Sequence, residues 1–456
     1  MKTKLTNHSI AIAFMVAVVT VSCNSCKKFL DEKPDSKLAT ITGVKDIQAL
    51  LDNYLRVNEN DQAVTQICSD DSYLPEVTFN ARKESERNLY VWAPASVFEP
   101  SFNAWTDTYG TVYIANLALD RADALSKNPV DPAGLAAVRG QALFHRGREF
   151  LQAVSVWCVD YDKATAVQSL GIPMPLSPDF NIPSARANLE ESFQQIISDL
   201  KAAIPLLPNK SITPLRPSKT AAYGLLARVL LYKDDFLGAG KYADSCLQGN
   251  SKLIDFNTLN PAANFPISKL NGEVSFESKM VTSSLIVQSR AFIEPSLYAL
   301  YPENDLRKTI FFKMGASDWV FKGNYEGDGS FFNGISTNEI LLIRAECAAR
   351  NGDLTAALAD LNLLRKNRIK ASAYTALTAG TGIDALQLIK RERRMELPFR
   401  GLRWMDIKRW NSEGDGIILT RRIGQASYTL EPKSLRYAIA IPEDLIQLSR
   451  IPQNPR

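Results

Sequence analysis

Histidine is nearly absent from this chain. Of 456 residues only His8 and His145 carry an imidazole, and His8 lies in an N-terminal leader. A His-rich zinc site therefore cannot be built in one copy, and a Ser-His-Asp or Cys-His arrangement would have to use His145. That residue sits in Ala142-Leu143-Phe144-His145-Arg146-Gly147, with a second arginine at Arg148. Neighbouring cations disfavour the imidazolium, and no nucleophile adjoins it in sequence, so it reads as a helix-packing histidine. Cysteine is also sparse, and beyond Cys23 the five that remain, Cys26, Cys68, Cys158, Cys246 and Cys347, are widely spaced with no C-x-x-C pair among them; Cys158, Cys246 and Cys347 fall in apolar helical stretches and read as buried thiols rather than a disulfide framework. The formal charge of +4 is small and no dense Lys/Arg stripe accompanies it, which argues against a nucleic-acid partner. A Gly-rich phosphate loop, a G-x-S-x-G elbow and a metal-ligand cluster are missing too, so neither cofactor nor metal is expected. What remains, 45% hydrophobic and 22% evenly mixed charge, is an ordinary folded composition with enough chain for two or three domains.

Residues 1–22 read as a secretory signal. Lys2 and Lys4 form a positive start, and Ile10 to Val21 is an apolar run of roughly a dozen residues, too short to span a bilayer. Thr20-Val21-Ser22-Cys23 is similar to a bacterial lipobox with Thr as a loose first residue, which predicts cleavage before Cys23 and its acylation, palmitate included. Cys26 is the alternative acceptor; an uncleaved anchor or plain secretion are the other readings. Residues 23–43, with Lys27-Lys28-Phe29-Leu30-Asp31-Glu32-Lys33-Pro34-Asp35, suit a tether between lipid and fold.

From residue 44 to 456 helical spacing dominates. Val44, Ile47, Leu51 and Tyr54 form one stripe; Trp105, Tyr109, Val112 and Asn116 form a second; Leu143, Phe150, Val154 and Trp157 form a third. The clearest spans 189–207, with Leu189, Phe193, Ile196, Ile197, Leu200 and Ile204 on one face and Asn188 and Glu191 as a cap. Between about 250 and 335 the periodicity fails, and Asn260-Pro261, Gly272, Gly315, Gly323, Gly327 and Gly329 predict a loop-rich insert with short strands.

Two helical segments share a finer pattern. Ala227, Leu230, Asp234-Asp235, Ala239 and Ala243 align with Ala345, Ala348, Gly352-Asp353, Ala357 and Leu361. Small residues where two helices touch, around a tight turn, make a tetratricopeptide-like hairpin. The copies stand about 120 residues apart, so the ~34-residue unit is not repeated without interruption. Such pairs usually build a scaffold.

The densest motif runs from Ile389 through Glu392-Arg393-Arg394-Met395-Glu396-Leu397-Pro398-Phe399-Arg400-Gly401-Leu402-Arg403-Trp404-Met405-Asp406 to Trp410. Leu386, Ile389, Arg393 and Leu397 share a helical stripe, which surrounds Arg393 with apolar neighbours. A buried guanidinium needs an acceptor, so Glu392, Glu396 or Asp406 should answer it. Because acids and bases alternate, Glu392, Arg393, Glu396, Arg403 and Asp406 read as a structural ion-pair lock rather than an anion clamp.

Taken in order, these pieces resemble the SusD/RagB-like nutrient-binding outer-membrane lipoproteins of bacteroidete bacteria. The resemblance rests on Cys23 followed by Phe29-Leu30-Asp31, on Gln141 to Trp157 leading to Gly171-Ile172-Pro173, and on Ile343-Arg344-Ala345-Glu346-Cys347-Ala348. Asp360-Leu361-Asn362 with Arg365 and Arg368, the Glu392 to Trp410 motif, Ala440-Ile441-Pro442 and Gln453-Asn454-Pro455 complete it. Arg400 departs from the family's usual Glu before Gly401, and this leaves the partner of Arg403 open. Asn24-Ser25-Cys26-Lys27-Lys28 also lacks the acidic run common after the lipidated Cys of surface-exported lipoproteins. The resemblance implies a mostly α fold: tetratricopeptide-like helical pairs as a SusD-like scaffold, carrying a loop-rich part that contacts ligand. It implies a non-catalytic, lipid-anchored protein of the outer membrane, facing the cell surface. Such a protein binds glycan, or peptide in the RagB-like branch, and delivers it to a SusC-like TonB-dependent transporter.

Two other classes compete: a repeat scaffold that binds no nutrient, and a lipoprotein glycosidase using a carboxylate pair such as Asp70 and Glu76. For a glycan platform, aromatics in poorly periodic stretches with polar neighbours are the candidates. Tyr90 and Trp92 near Asn88 qualify, as do Trp319 and Tyr325 near Asp318 and Asn324. Trp105 and Trp157 on helical stripes, and Trp404 and Trp410 in the dense motif, read as core.

Overall fold

A computed structural model describes residues 41–456; the leader, Cys23, Cys26 and most of the tether lie outside the described residues. Ten helices of eight residues or more are present among the described residues. They are α1 (Val44–Leu51), α2 (Ala104–Leu125), α3 (Pro132–Trp157), α4 (Leu189–Ala203), α5 (Lys219–Tyr232), α6 (Phe236–Gly249), α7 (Thr337–Arg350), α8 (Leu354–Lys366), α9 (Gly382–Glu396) and α10 (Arg403–Glu413). Seven of them start on a side chain that accepts from an otherwise orphaned amide: Asn103, Asp131, Asn188, Ser218, Asp235, Asp353 and Thr381. At α4 the cap is reciprocal, Glu191 N donating to Asn188 Oδ1 at 2.8 Å and Asn188 N to Glu191 Oε2 at 3.1 Å. The predicted 189–207 helix stops four residues early, at Ala203: Ile204 keeps helical angles and still donates to Leu200 O, but Pro205 has no N–H to continue the ladder.

The helices pack in chain order, α2 on α3, α3 on α4, and so on to α7 on α8, with α9 laid against α7. The two hairpins read from the sequence are the pairs α5–α6 and α7–α8, and their small residues Ala227, Ala239, Ala243, Ala345 and Ala357 are fully buried between helices. The corresponding turns hold Asp234 at φ +58° and Gly352 at φ +82°. The aspartate accepts a left-handed backbone that glycine adopts without strain. Between the hairpins, α6 approaches α7 so closely that a Cβ on Gly240 would stand 3.1 Å from Cys347 Cβ.

The stretch between α6 and α7 has no long helix. It contains β1 (Val274–Phe276), β2 (Phe312–Met314), β3 (Trp319–Phe321) and, just before α7, β4 (Ile335–Ser336), with single helical turns such as Pro295–Tyr298. β4 pairs antiparallel with β1 and so ties the end of the insert to its start; β2 and β3 form a hairpin with Met314 opposite Trp319. After α10, β5 (Leu419–Ile423) and β6 (Ala426–Leu430) form a last hairpin. Residues Val44–Arg456 form one compact unit, whose main core runs from the helix row into the insert, with a smaller one under α7, α8 and α9. Trp105, Trp157, Trp404 and Trp410 are all core residues, and Cys68, Cys158, Cys246 and Cys347 are buried free thiols. His145 is buried against Phe144 and Phe276; burial and Arg148 push its pKa well down, so it is a neutral packing residue.

Candidate functional site

Three of the four aromatic candidates are interior. Trp92 is 1% exposed and its indole N–H donates to the Cys68 carbonyl at 3.0 Å. Tyr90, 2% exposed, accepts from the Leu74 amide at 3.0 Å and lies under the Arg421 guanidinium, 4.2 Å from its ring centre. Tyr325, also 2% exposed, donates to Glu273 Oε2 at 2.5 Å and accepts from Asn338 at 3.1 Å. The expectation of a platform at Tyr90, Trp92 and Tyr325 is therefore corrected. Tyr90 closes the helix Glu84–Tyr90, Trp92 stands in the turn after it, and Tyr325 lies in a turn of the insert; in each case the irregular backbone turns the ring into the core.

Trp319 differs. It is half-buried at the start of β3, and its ring stacks on Tyr298 with centroids 4.5 Å apart and planes at 19°. The hairpin fixes it: Gly315 N donates to Asp318 O at 2.8 Å, and the Asp318 carboxylate accepts from the Trp319 amide at 2.7 Å and from the Tyr73 hydroxyl at 2.6 Å. Trp319 and Tyr298 line an open groove of about 490 Å³ together with Glu303, Lys308, Lys313 and Lys322. Lys308 pairs with Glu303 and lies 5.3 Å over the Tyr298 ring. Lys322 donates to the Pro261 and Ala263 carbonyls at 2.5 and 3.1 Å, and burial together with Lys313 pushes its pKa down. Flat rings beside ammonium and carboxylate groups can cover the C–H face of a sugar and bond its hydroxyls. Tyr298 was not among the sequence candidates. The same test, an aromatic in an aperiodic stretch near Glu303 and Asn304, would have found it.

A larger cleft of about 580 Å³ lies on the helix side, lined by Asp160, Asp234, Lys408, Glu413, Leu435 and Tyr437 among others. Its aromatic members, Tyr161 and Tyr437, are buried, so it offers charge rather than a platform. Burial pushes Asp160 up to about 6, and burial with Asp160 nearby pushes Asp234 up to about 7.

The dense motif joins α9, α10 and the insert through buried charges. Arg393 Nε donates to Asp406 Oδ2 at 2.8 Å, and Asp406 Oδ1 accepts from Arg409 at 3.1 Å. Glu392 and Glu396, the other acceptors expected for Arg393, turn to Arg307 of the insert at 2.6 and 2.9 Å. Glu396 also holds Arg368, which bonds Glu273 at 2.8 Å. The open partner of Arg403 is Asp70, at 2.8 and 2.9 Å. Although burial opposes it, Arg394 and Arg403 hold the Asp70 carboxyl well below the carboxylate range, so it cannot serve as a catalytic acid. Glu76 is exposed on the surface. Among the described residues no group of His, Cys, Asp and Glu is arranged to hold a metal, and no helix is long and apolar enough to cross a membrane.

A row of tetratricopeptide-like helical pairs with a loop-rich lobe bearing an aromatic groove defines a helical-scaffold protein. A family described as starch-binding, associating with the outer membrane, matches residues 28–231, and the SusD family matches residues 337–444. The chain belongs to the SusD/RagB family. Its fold is that of a SusD superfamily protein from Bacteroides thetaiotaomicron VPI-5482, 18% identical, with 91% of this chain and 100% of that one covered and a TM-score of 0.75. A SusD-like carbohydrate binding protein from Bacteroides vulgatus ATCC 8482 is 21% identical over 89% of this chain and 96% of that one, with a TM-score of 0.67. A laminarin binding SusD-like protein is 16% identical over 90% and 98%, with a TM-score of 0.63. No curated protein matches.

Proposed function

We propose that this protein is an outer-membrane lipoprotein that binds oligosaccharides at the Tyr298–Trp319 groove and delivers them to a SusC-like TonB-dependent barrel. The observation that carries the reading is the stacked aromatic pair, half-exposed and fixed by a hairpin, in a chain of the SusD family. Family membership supports a binding role over catalysis, as does the engagement of Asp70 by Arg394 and Arg403, which occupies one of the two carboxylates a glycosidase would use. Lysines outnumber carboxylates among the groove's lining side chains, three to one, which favours glycans bearing uronate or sulfate groups. Acyl chains on Cys23 hold the protein to the membrane, since several chains bury far more methylene than the single one that binds marginally.

Affinity electrophoresis against immobilised neutral and acidic glycans, with product analysis, tests this. Retardation without turnover, strongest for an acidic glycan and weakened by salt, is expected. Turnover would make the protein an enzyme; indifference to every glycan, with a peptide or with no ligand bound, would move it to the RagB-like branch or to a scaffold. Pull-down from mild detergent should recover one large β-barrel partner, and recovery of the protein alone would count against delivery.

A further inference from the structure

Arg400 is a cation inside the protein without an anion. It is 4% exposed; its Nη2 donates to Ser336 Oγ at 3.0 Å and Gly334 O at 3.5 Å, and its guanidinium lies over the Phe332 ring at 4.3 Å and Tyr325 at 5.2 Å. Among the described residues it forms no ion pair. A guanidinium stays charged even when buried, and such a charge is costly unless something negative answers it.

Two further guanidiniums line the same small cavity of about 30 Å³, those of Arg148 and Arg228. Arg228 is answered by Glu339 at 2.7 and 2.6 Å. Arg148 meets Asp61 and Glu149, both at 2.6 Å, but burial pushes the Glu149 carboxyl up to about 8, leaving it largely protonated at neutral pH. Burial raises the Asp61 carboxyl as well, so both acids beside Arg148 are held against their charged forms, and Arg400 has no carboxylate in ion-pair contact among the described residues. The donors tell the same story: Arg148 Nε, Arg400 Nε and the Tyr232 hydroxyl are buried without an acceptor, and all three residues line the cavity.

We propose that this cavity, between α3, α5 and the loop that follows α9, is a structural site for one small monovalent anion, chloride in the native setting. The volume admits one or two water-sized occupants, too little for a tetrahedral oxyanion or a nutrient carboxylate. Water would satisfy the donors but not the charge. A halide held there fastens the Arg400 loop to the helix row and has no part in the groove at Trp319.

The test uses the full detergent-solubilised chain, melted in sodium chloride and in sodium gluconate at matched ionic strength. Wild-type melting should rise with chloride in the millimolar range and level off only as the logarithm of its concentration, as for a ligand of the native state. Arg400→Met should melt alike in both salts. Crystals grown in bromide should show an anomalous peak beside Arg400, Arg148 and Tyr232; should Arg400→Met fail to fold, this peak and the wild-type salt comparison decide alone. Equal wild-type melting in the two salts, or a bromide crystal without that peak, overturns the proposal.

Discussion

Asp406 is the shared anion of the buried charge cluster between α9 and α10, and replacing it should hurt more than replacing the arginine it holds. Arg393 is 1% exposed and has no second acceptor, its Nη1 and Nη2 being buried without a partner. Arg409 is better served, with Glu346 at 2.5 and 2.7 Å. Asp406→Asn therefore strands the Arg393 charge in the core, the situation that typically costs about 3–5 kcal/mol. Arg393→Met removes the cation and supplies apolar volume among Ile389 and its neighbours, while Asp406 keeps Arg409; this should cost less than about 2 kcal/mol. With an unfolding entropy of about 2.1 cal/mol/K per residue over the folded unit, roughly 410 residues, 1 kcal/mol shifts the melting point by about 1.1 °C. Calorimetry at pH 7 should then place Asp406→Asn about 3.5–6 °C below wild type and Arg393→Met within about 2 °C. Ligand affinity of both folded variants should be unchanged. Asp406→Asn melting within about 1 °C of wild type, or Arg393→Met melting below Asp406→Asn, would refute the claim that Asp406 answers an otherwise stranded charge.

Glu346 gives a pH signature. Burial opposes ionisation, but Arg409 and Arg350 hold its carboxyl down at about 2 against an ordinary 4.5. A depressed folded pKa contributes stability that is present above about pH 4.5 and is lost as pH falls toward 2, so Glu346→Gln should flatten the acid limb of the stability curve across that window. An unaltered acid limb would place the titration elsewhere. Trp92→Ala, which removes a buried indole, should cost about 3–5 kcal/mol and leave glycan affinity intact in the folded fraction, as read by paired melting and binding curves; loss of affinity without loss of stability would return Trp92 to the ligand surface. Cys23→Ser should move the protein from the membrane pellet to the soluble fraction, and a variant that still resists washing from membranes would sink the lipid anchor.

The helical frame was legible because burial there follows the 3.6-residue period. The Leu189–Leu200 stripe with its Asn188 cap, and the small residues of the two hairpins, needed only local physics. So did the failure of that period between 250 and 335, which marks the insert. The charge cluster was legible in membership but not in pairing. Alternating Glu and Arg on one helix announced buried ions, yet Glu392 and Glu396 find their partners in Arg307 and Arg368, far away in sequence, and Asp70 reaches Arg403 across 333 positions. The candidate groove was half legible. Trp319 stood out as an aromatic in an irregular stretch; Tyr298, on a single helical turn before it, meets the same test, but nothing in the sequence says that the two rings stack. Tyr90, Trp92 and Tyr325 looked equivalent to Trp319 because composition cannot tell an irregular segment that faces solvent from one that faces the core.

Calorimetric titration of the wild-type chain and of Trp319→Ala with the glycan that retards the protein most in affinity electrophoresis tests the central claim most directly. Wild type should bind with a measurable enthalpy, and Trp319→Ala, with melting close to wild type because its ring is only half-buried, should lose at least about tenfold in affinity, the equivalent of about 1.4 kcal/mol. Equal affinity in the two proteins would contradict a glycan site at the Tyr298–Trp319 groove.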